Sequence, residues 1–126
     1  MSALFSPLSL RSVTVPHRAW VSPMCQYSAE DGIVNDWHLV HLGGFAIGRA
    51  ALVMVEATAV TADGRITPWD LGLWHDGQVE GLARIATFLA GQGSVPAIQL
   101  AHAGRKAAAA QPWRGGGPVS PEEGGW

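Results

Sequence analysis

The chain has 126 residues, 48% of them hydrophobic and 14% charged, a balance that excludes an intrinsically disordered polymer. Eight basic residues against ten acidic ones leave a formal net charge of −2, which gives no cationic footprint for nucleic acid and no polybasic membrane anchor. A single cysteine, Cys25, rules out an intrachain disulfide framework and an all-cysteine metal site, and it fits a reducing compartment. No apolar run approaches the roughly 18 residues of a membrane span. The opening residues lack a basic segment followed by a long apolar one, so the expectation is a cytoplasmic chain without a signal peptide.

From Leu4 to Arg18, short apolar pieces are split by Pro7 and Pro16, which predicts a small hairpin or extended arm. Ala19 to Ser22 reads as a short strand stopped by Pro23, and Met24 to Asp36 as a loop. Trp37 to Arg49 reads as a helix with Asp36 as its N-cap. Gly43 and Gly44 are tolerable there if the backbone packs tightly on a sheet. Ala51 to Val55 is an uninterrupted apolar run, the signature of a strand buried on both faces. Val79, Leu82, Ala83, Ala86, Leu89 and Ala90 recur at helical spacing, with Asp76 as the predicted cap and Gly91-Gln92-Gly93 as the stop. Val95 to Leu100 is a third strand. Beyond it only the alanine run at 107–110 predicts regular structure, a helical turn.

The order arm, β, α, β, α, β, loop implies parallel strands with right-handed crossovers. Predicted strand starts at residues 19, 51 and 95 lie 32 and 44 residues apart, against roughly 31 per unit in a (β/α)8 barrel. Three strands cannot close a barrel. The expectation is an α/β chain forming the N-terminal part of a single TIM-barrel domain. Residues 1–18 form the arm, 19–100 the first three barrel strands, and 101–126 the loop after the third strand.

Working groups in such folds lie beyond the carboxyl ends of the strands. Those ends carry Ser22-Pro23-Met24-Cys25-Gln26-Tyr27, then Glu56-Ala57-Thr58, then Gln99 with His102, Arg105 and Lys106. A thiol-bearing turn, a backbone at alanine and a side-chain amide suit a flat heterocycle with mixed donors and acceptors. A nearby tyrosine, histidine and lysine can polarise a carbonyl.

Four blocks in order resemble the Old Yellow Enzyme family, most closely its thermophilic-like branch of xenobiotic-reductase and YqjM-type enzymes. They are Ser22 to Tyr27, Val55-Glu56-Ala57-Thr58-Ala59-Val60, Gly64-Arg65-Ile66-Thr67, and Gln99 to Ala107. The likeness covers Leu4 to about Arg114. It implies an FMN-dependent TIM barrel that uses NADPH or NADH to reduce activated C=C bonds of α,β-unsaturated carbonyl or nitro compounds. By the same resemblance Ser22, Pro23, Met24, Cys25, Ala57 and Gln99 would bind FMN. Cys25 and Tyr27 would serve catalysis, and Tyr27, Ile66 and Lys106 would face the substrate. Implied partners are a small activated alkene, the remainder of the barrel in the same or a separate chain, and further copies in a homo-oligomer. The family's His-x-x-His or His-x-x-Asn pair, its proton-donating tyrosine and its phosphate-gripping loops belong to later strands than these, and His17 stands where the family often has asparagine.

Two rivals are kept. One is an inactive or split fragment that functions only with a polypeptide completing the barrel. The other is a metal module using Cys25, His38, His41 and His102. The helical i, i+3 spacing of His38 and His41 favours packing over ligation, since a metal needs three or four converging ligands. The clusters Gly43-Gly44 and Gly115-Gly116-Gly117 lack the spacing of a dinucleotide or phosphate loop.

Overall fold

The computed structural model describes residues 2–126. The arm is an antiparallel hairpin of β1 (Leu8–Leu10) and β2 (Val13–Val15), turned at Arg11 with φ +52°. Then follow β3 (Trp20–Val21), α1 (Asp36–Ile47), β4 (Leu52–Ala59), β5 (Leu71–Gly72), α2 (Val79–Gly91) and β6 (Val95–Ala101). β4 is the centre of a parallel sheet. β3 pairs with its start and β5 with its end on one side, while β6 runs along the other from Leu52↔Val95 to Ala59↔Ala101.

Alternating side chains of β4 feed two cores. Val53 and Val55 pack outward against Leu42 and Ala46 of α1 and Ile85 and Leu89 of α2. On the other face Leu52 meets Val15 of the hairpin, with Met54, Val95 and Ala97 around them. The hairpin thereby covers the amino-terminal end of the sheet. His17 locks it there: its Nδ1 accepts from the Ala19 amide at 3.2 Å, which leaves Nε2 to donate to the Arg49 carbonyl at 2.9 Å.

α1 starts one residue earlier than the apolar pattern indicates, and its N-cap is Asn35, not Asp36. Asn35 Oδ1 accepts from the Trp37 amide at 3.0 Å, and His38 Nδ1 accepts from the Asn35 amide at 3.2 Å. Gly43 is needed for helix-on-helix packing rather than against the sheet, because a Cβ there would lie 2.9 Å from the Phe88 ring of α2. Gly44 faces open space. α2 is preceded by a 3-10 turn, Asp76–Gln78, capped by His75 rather than Asp76.

Three further departures have clear causes. β4 continues four residues past Val55, because Glu56 and Thr58 are buried with their polar atoms satisfied. β5 corresponds to no expected element, since a two-residue strand has no periodicity to detect. The alanine run forms no helical turn: Ala109 N–H bonds the Ile66 carbonyl at 2.7 Å, and Ala109 bridges Pro118. Trp126, which closes no recognisable sequence element, is anchored through Nε1 to the Asp63 carbonyl at 2.8 Å. The Arg65 guanidinium lies over its ring and over that of Trp74, at 4.8 and 5.3 Å.

Candidate active site

Three segments meet beyond the carboxyl ends of the parallel strands: Ser22 to Tyr27 after β3, Glu56 to Ala59 closing β4, and Gln99 to Ala101 closing β6. The register sets Ala57 opposite Gln99. Ala57 is buried, while Gln99, Ser22 and Met24 are exposed at this end of the sheet and Pro23 is half-buried. A backbone edge and a side-chain amide are thus side by side, with an apolar thioether nearby.

A bulge between Val55 and Ala57 shapes the site. Such an extra residue re-aims the side chain it carries. Here Glu56 Oε1 accepts from the Gln26 amide at 3.0 Å, tying the end of β4 to the β3 loop. The carboxyl is 2% exposed. Burial lifts its pKa to about 7, with the Asp70 charge adding to the rise and the bonds to the Gln26 and Tyr27 amides opposing it.

Cys25 is half-buried beside this carboxylate. Burial, then the charges of Asp70 and Glu56, push its thiol up, against hydrogen bonds from the Ala57 backbone and the Tyr27 hydroxyl that favour the thiolate. The sulfur is therefore a thiol near neutral pH. Tyr27 is likewise held neutral, chiefly by burial and secondly by Cys25. Its backbone is left-handed, φ +51°, a conformation costing about 1–2 kcal/mol for a residue with a Cβ. The Tyr27 carbonyl accepts from Gln111 Nε2 at 3.0 Å, and its ring meets Trp113 edge-on with centroids 5.8 Å apart.

Asp70 organises the next segment. Its carboxylate accepts from the Ile66 amide at 2.8 Å, the Thr67 amide at 3.2 Å and the Thr67 hydroxyl at 2.7 Å. Ile66 is fixed on both sides, since its carbonyl takes the Ala109 amide. Lys106 sits exposed on the turn Gly104–Lys106. The structure brings Cys25, Tyr27 and Ala57 together and sets Gln99 alongside, but no hydrogen bond joins Ile66 or Lys106 to them among the described residues. No three His, Cys, Asp or Glu side chains, Cys25, His38, His41 and His102 included, converge among the described residues. His38 is buried against Asn35, and burial, with His41 adding to it, lowers its pKa to about 4.

A model of the NADH:flavin oxidoreductase / NADH oxidase family matches residues 3–123. The chain belongs to this family. An NADH:flavin oxidoreductase of Gibberella zeae is 53% identical over 124 residues, which make up 98% of this chain and 30% of that protein. Morphinone reductase superposes with a TM-score of 0.72 at 27% identity, over 79% of this chain and 26% of its own. An Old Yellow Enzyme homologue from Zymomonas mobilis gives 0.70 at 27% identity, over 80% and 28%. The chain spans less than a third of the length of these relatives. The Old Yellow Enzyme resemblance holds, and the parallel strands are part of an α/β TIM barrel. No helix among the described residues is long and apolar enough to cross a membrane.

The sequence alone assigns no separate role to Glu56, Asp70, Gln111 or Trp113. Glu56 carried a detectable signal, an acid inside an apolar strand that has to find a donor. Gln111 carried none, because its partner Tyr27 lies 84 residues away.

Proposed function

We propose that this chain forms the first part of an FMN-dependent NAD(P)H ene-reductase, acting on activated alkenes conjugated to carbonyl or nitro groups. The observation that carries this reading is the register of Ala57 with Gln99 beside the Cys25–Tyr27 turn, at the end of the sheet where a barrel binds its ligand. The residues fit a flavin: a backbone edge at Ala57 and the exposed amide of Gln99 supply both donors and acceptors for its polar rim. Ser22, Pro23 and Met24 would line the same ring system, with the Cys25 thiol at its edge. Bound there, FMN supplies hydride transfer from the nicotinamide to the alkene.

The chain's own residues hold and orient. Cys25, kept as a thiol, offers a weak hydrogen bond rather than a negative charge toward the cofactor edge. Tyr27, kept neutral, offers a hydroxyl to a substrate carbonyl. Ile66, pinned by Asp70, and exposed Lys106 border the substrate mouth. The barrel is completed by further polypeptide, in the same chain or another. A groove of about 350 Å³ between α2 and β6, lined by Leu82, Ala86, Pro96 and Ile98, supports this. A homo-oligomer and a cytoplasmic setting belong to the same reading, the latter supported by the unpaired Cys25.

The test is the visible spectrum of the purified protein before and after NADPH under anaerobic conditions. Flavin bands near stoichiometry that bleach with NADPH are expected. A colourless sample that takes up no added FMN favours the split-fragment reading. Cys25→Ala should shift the flavin midpoint potential while FMN stays bound, and loss of FMN would show that Cys25 has another role.

A further inference from the structure

Tyr27, left-handed at φ +51°, is tied down through the residue before it and through its own carbonyl. On the amino side, the buried Glu56 carboxylate takes the amide of the preceding residue, Gln26, at 3.0 Å. On the carbonyl side, Gln111 Nε2 donates to the Tyr27 oxygen at 3.0 Å. The ring is braced edge-on by Trp113, two residues after Gln111. Gln111 is itself fixed, being 6% exposed, with its own carbonyl accepting from the Arg114 amide at 2.8 Å. A bulky residue keeps positive φ only where its surroundings over-determine it. Glu56, inside β4, and Gln111, in the loop after β6, reach the Gln26–Tyr27 turn from two different parts of the chain.

We propose that Glu56 and Gln111 are positioning residues that clamp Tyr27 in the left-handed state, making the loop after β6 a determinant of how the Tyr27 hydroxyl meets substrate. The inference rests on the reading of Tyr27 as a substrate contact. It assigns Gln111 and Trp113, more than eighty residues from Tyr27 in sequence, to the specificity of the same site. Neither Glu56 nor Gln111 touches the reacting atoms under this proposal. Gln111 acts through the Tyr27 carbonyl, and Glu56 through the amide of the preceding residue, Gln26.

The experiment uses the flavin-loaded protein and four variants. Gln111→Met keeps volume and removes the donor, and Glu56→Met removes the acceptor. Glu56→Gln retains an acceptor oxygen, and Trp113→Ala removes only the ring contact. Amide hydrogen exchange over residues 22–29 is read beside steady-state kinetics on a cyclic enone. Gln111→Met and Glu56→Met should speed exchange of that segment by about tenfold, the effect of one lost hydrogen bond, with β4 exchange unchanged. KM should rise several-fold with kcat nearly constant. Glu56→Gln should restore slow exchange, and Trp113→Ala should raise KM with exchange less affected. Unchanged exchange and KM in Gln111→Met would overturn the clamp, as would Glu56→Gln behaving like Glu56→Met. A parent protein that turns over no enone defeats the ene-reductase reading instead, and the exchange data still decide whether the clamp exists.

Discussion

Replacing Glu56 by glutamine isolates the energetic consequence of burying one carboxyl behind a bulge. Burial, reinforced by Asp70, raises the Glu56 pKa from 4.5 to about 7. Between those values the folded protein keeps a proton that the unfolded chain gives up. Glu56 therefore contributes stability below pH 4.5 that is lost as pH rises toward 7. The full loss is roughly 3 kcal/mol, from about 1.4 kcal/mol per unit. His38 works in the opposite sense. Burial, with His41 adding to it, lowers its pKa from 6.5 to about 4, so its stabilising effect is present above 6.5 and lost as pH falls. The two slopes oppose one another between pH 4.5 and 6.5, which flattens the parent's stability there. Glu56→Gln removes one of them and keeps an acceptor for the Gln26 amide. Urea unfolding of parent and variant, followed by tryptophan fluorescence from pH 4.5 to 8, gives the difference. The variant should gain about 3 kcal/mol relative to the parent across that range, most of it below pH 7. A difference that does not change with pH would refute the assignment of a perturbed Glu56.

Asn35→Ala removes the N-cap of α1 and should cost about 1 kcal/mol in the same unfolding assay; Asp36→Ala, at the position the apolar pattern marks as the cap, should cost less. Equal effects would mean that the Asn35 geometry does not govern the helix start. Gly72→Ala places a methyl group inside the volume of the Trp74 indole. The ring must move or β5 must leave β4, at about 1–3 kcal/mol. Near-ultraviolet circular dichroism should report the displaced tryptophan, and an unaltered spectrum with unaltered stability would refute the contact.

The sequence made the large features legible and concealed the small ones for physical reasons. The apolar run at Ala51 to Val55, the 3.6-residue period of α2 and the glycine stop after it are local properties, and each led to the right element. The choice between Asn35 and Asp36 as cap was not local. It depended on His38, whose Nδ1 closes the capping box, and on Ser28, whose carbonyl accepts from the Asn35 side chain at 2.7 Å. β5 exists only because Leu71 and Gly72 lie beside the end of β4. Cys25, Tyr27 and Ala57, expected from their motifs to share one rim, lie together. What holds them was invisible: Glu56 required knowledge of the bulge, and Gln111 required the path of a loop that carries no periodicity.

The exposed flank of β6 has a consequence for how the molecule comes into being. Among the described residues β6 pairs with β4 alone, and Leu100 at its end is 60% exposed. Chains are made from the amino end at about 5–20 residues per second, so a nascent polypeptide that has just emitted β6 carries an unsatisfied row of backbone donors and acceptors. A parallel neighbour cannot be supplied by a tight turn and must await a crossover of a dozen or more residues. During that interval another chain can template on the same row. Pro96, which has no N–H to offer, interrupts the row near its start. It blunts intermolecular pairing at the cost of one ladder bond, a protection that acts while the chain is still being made.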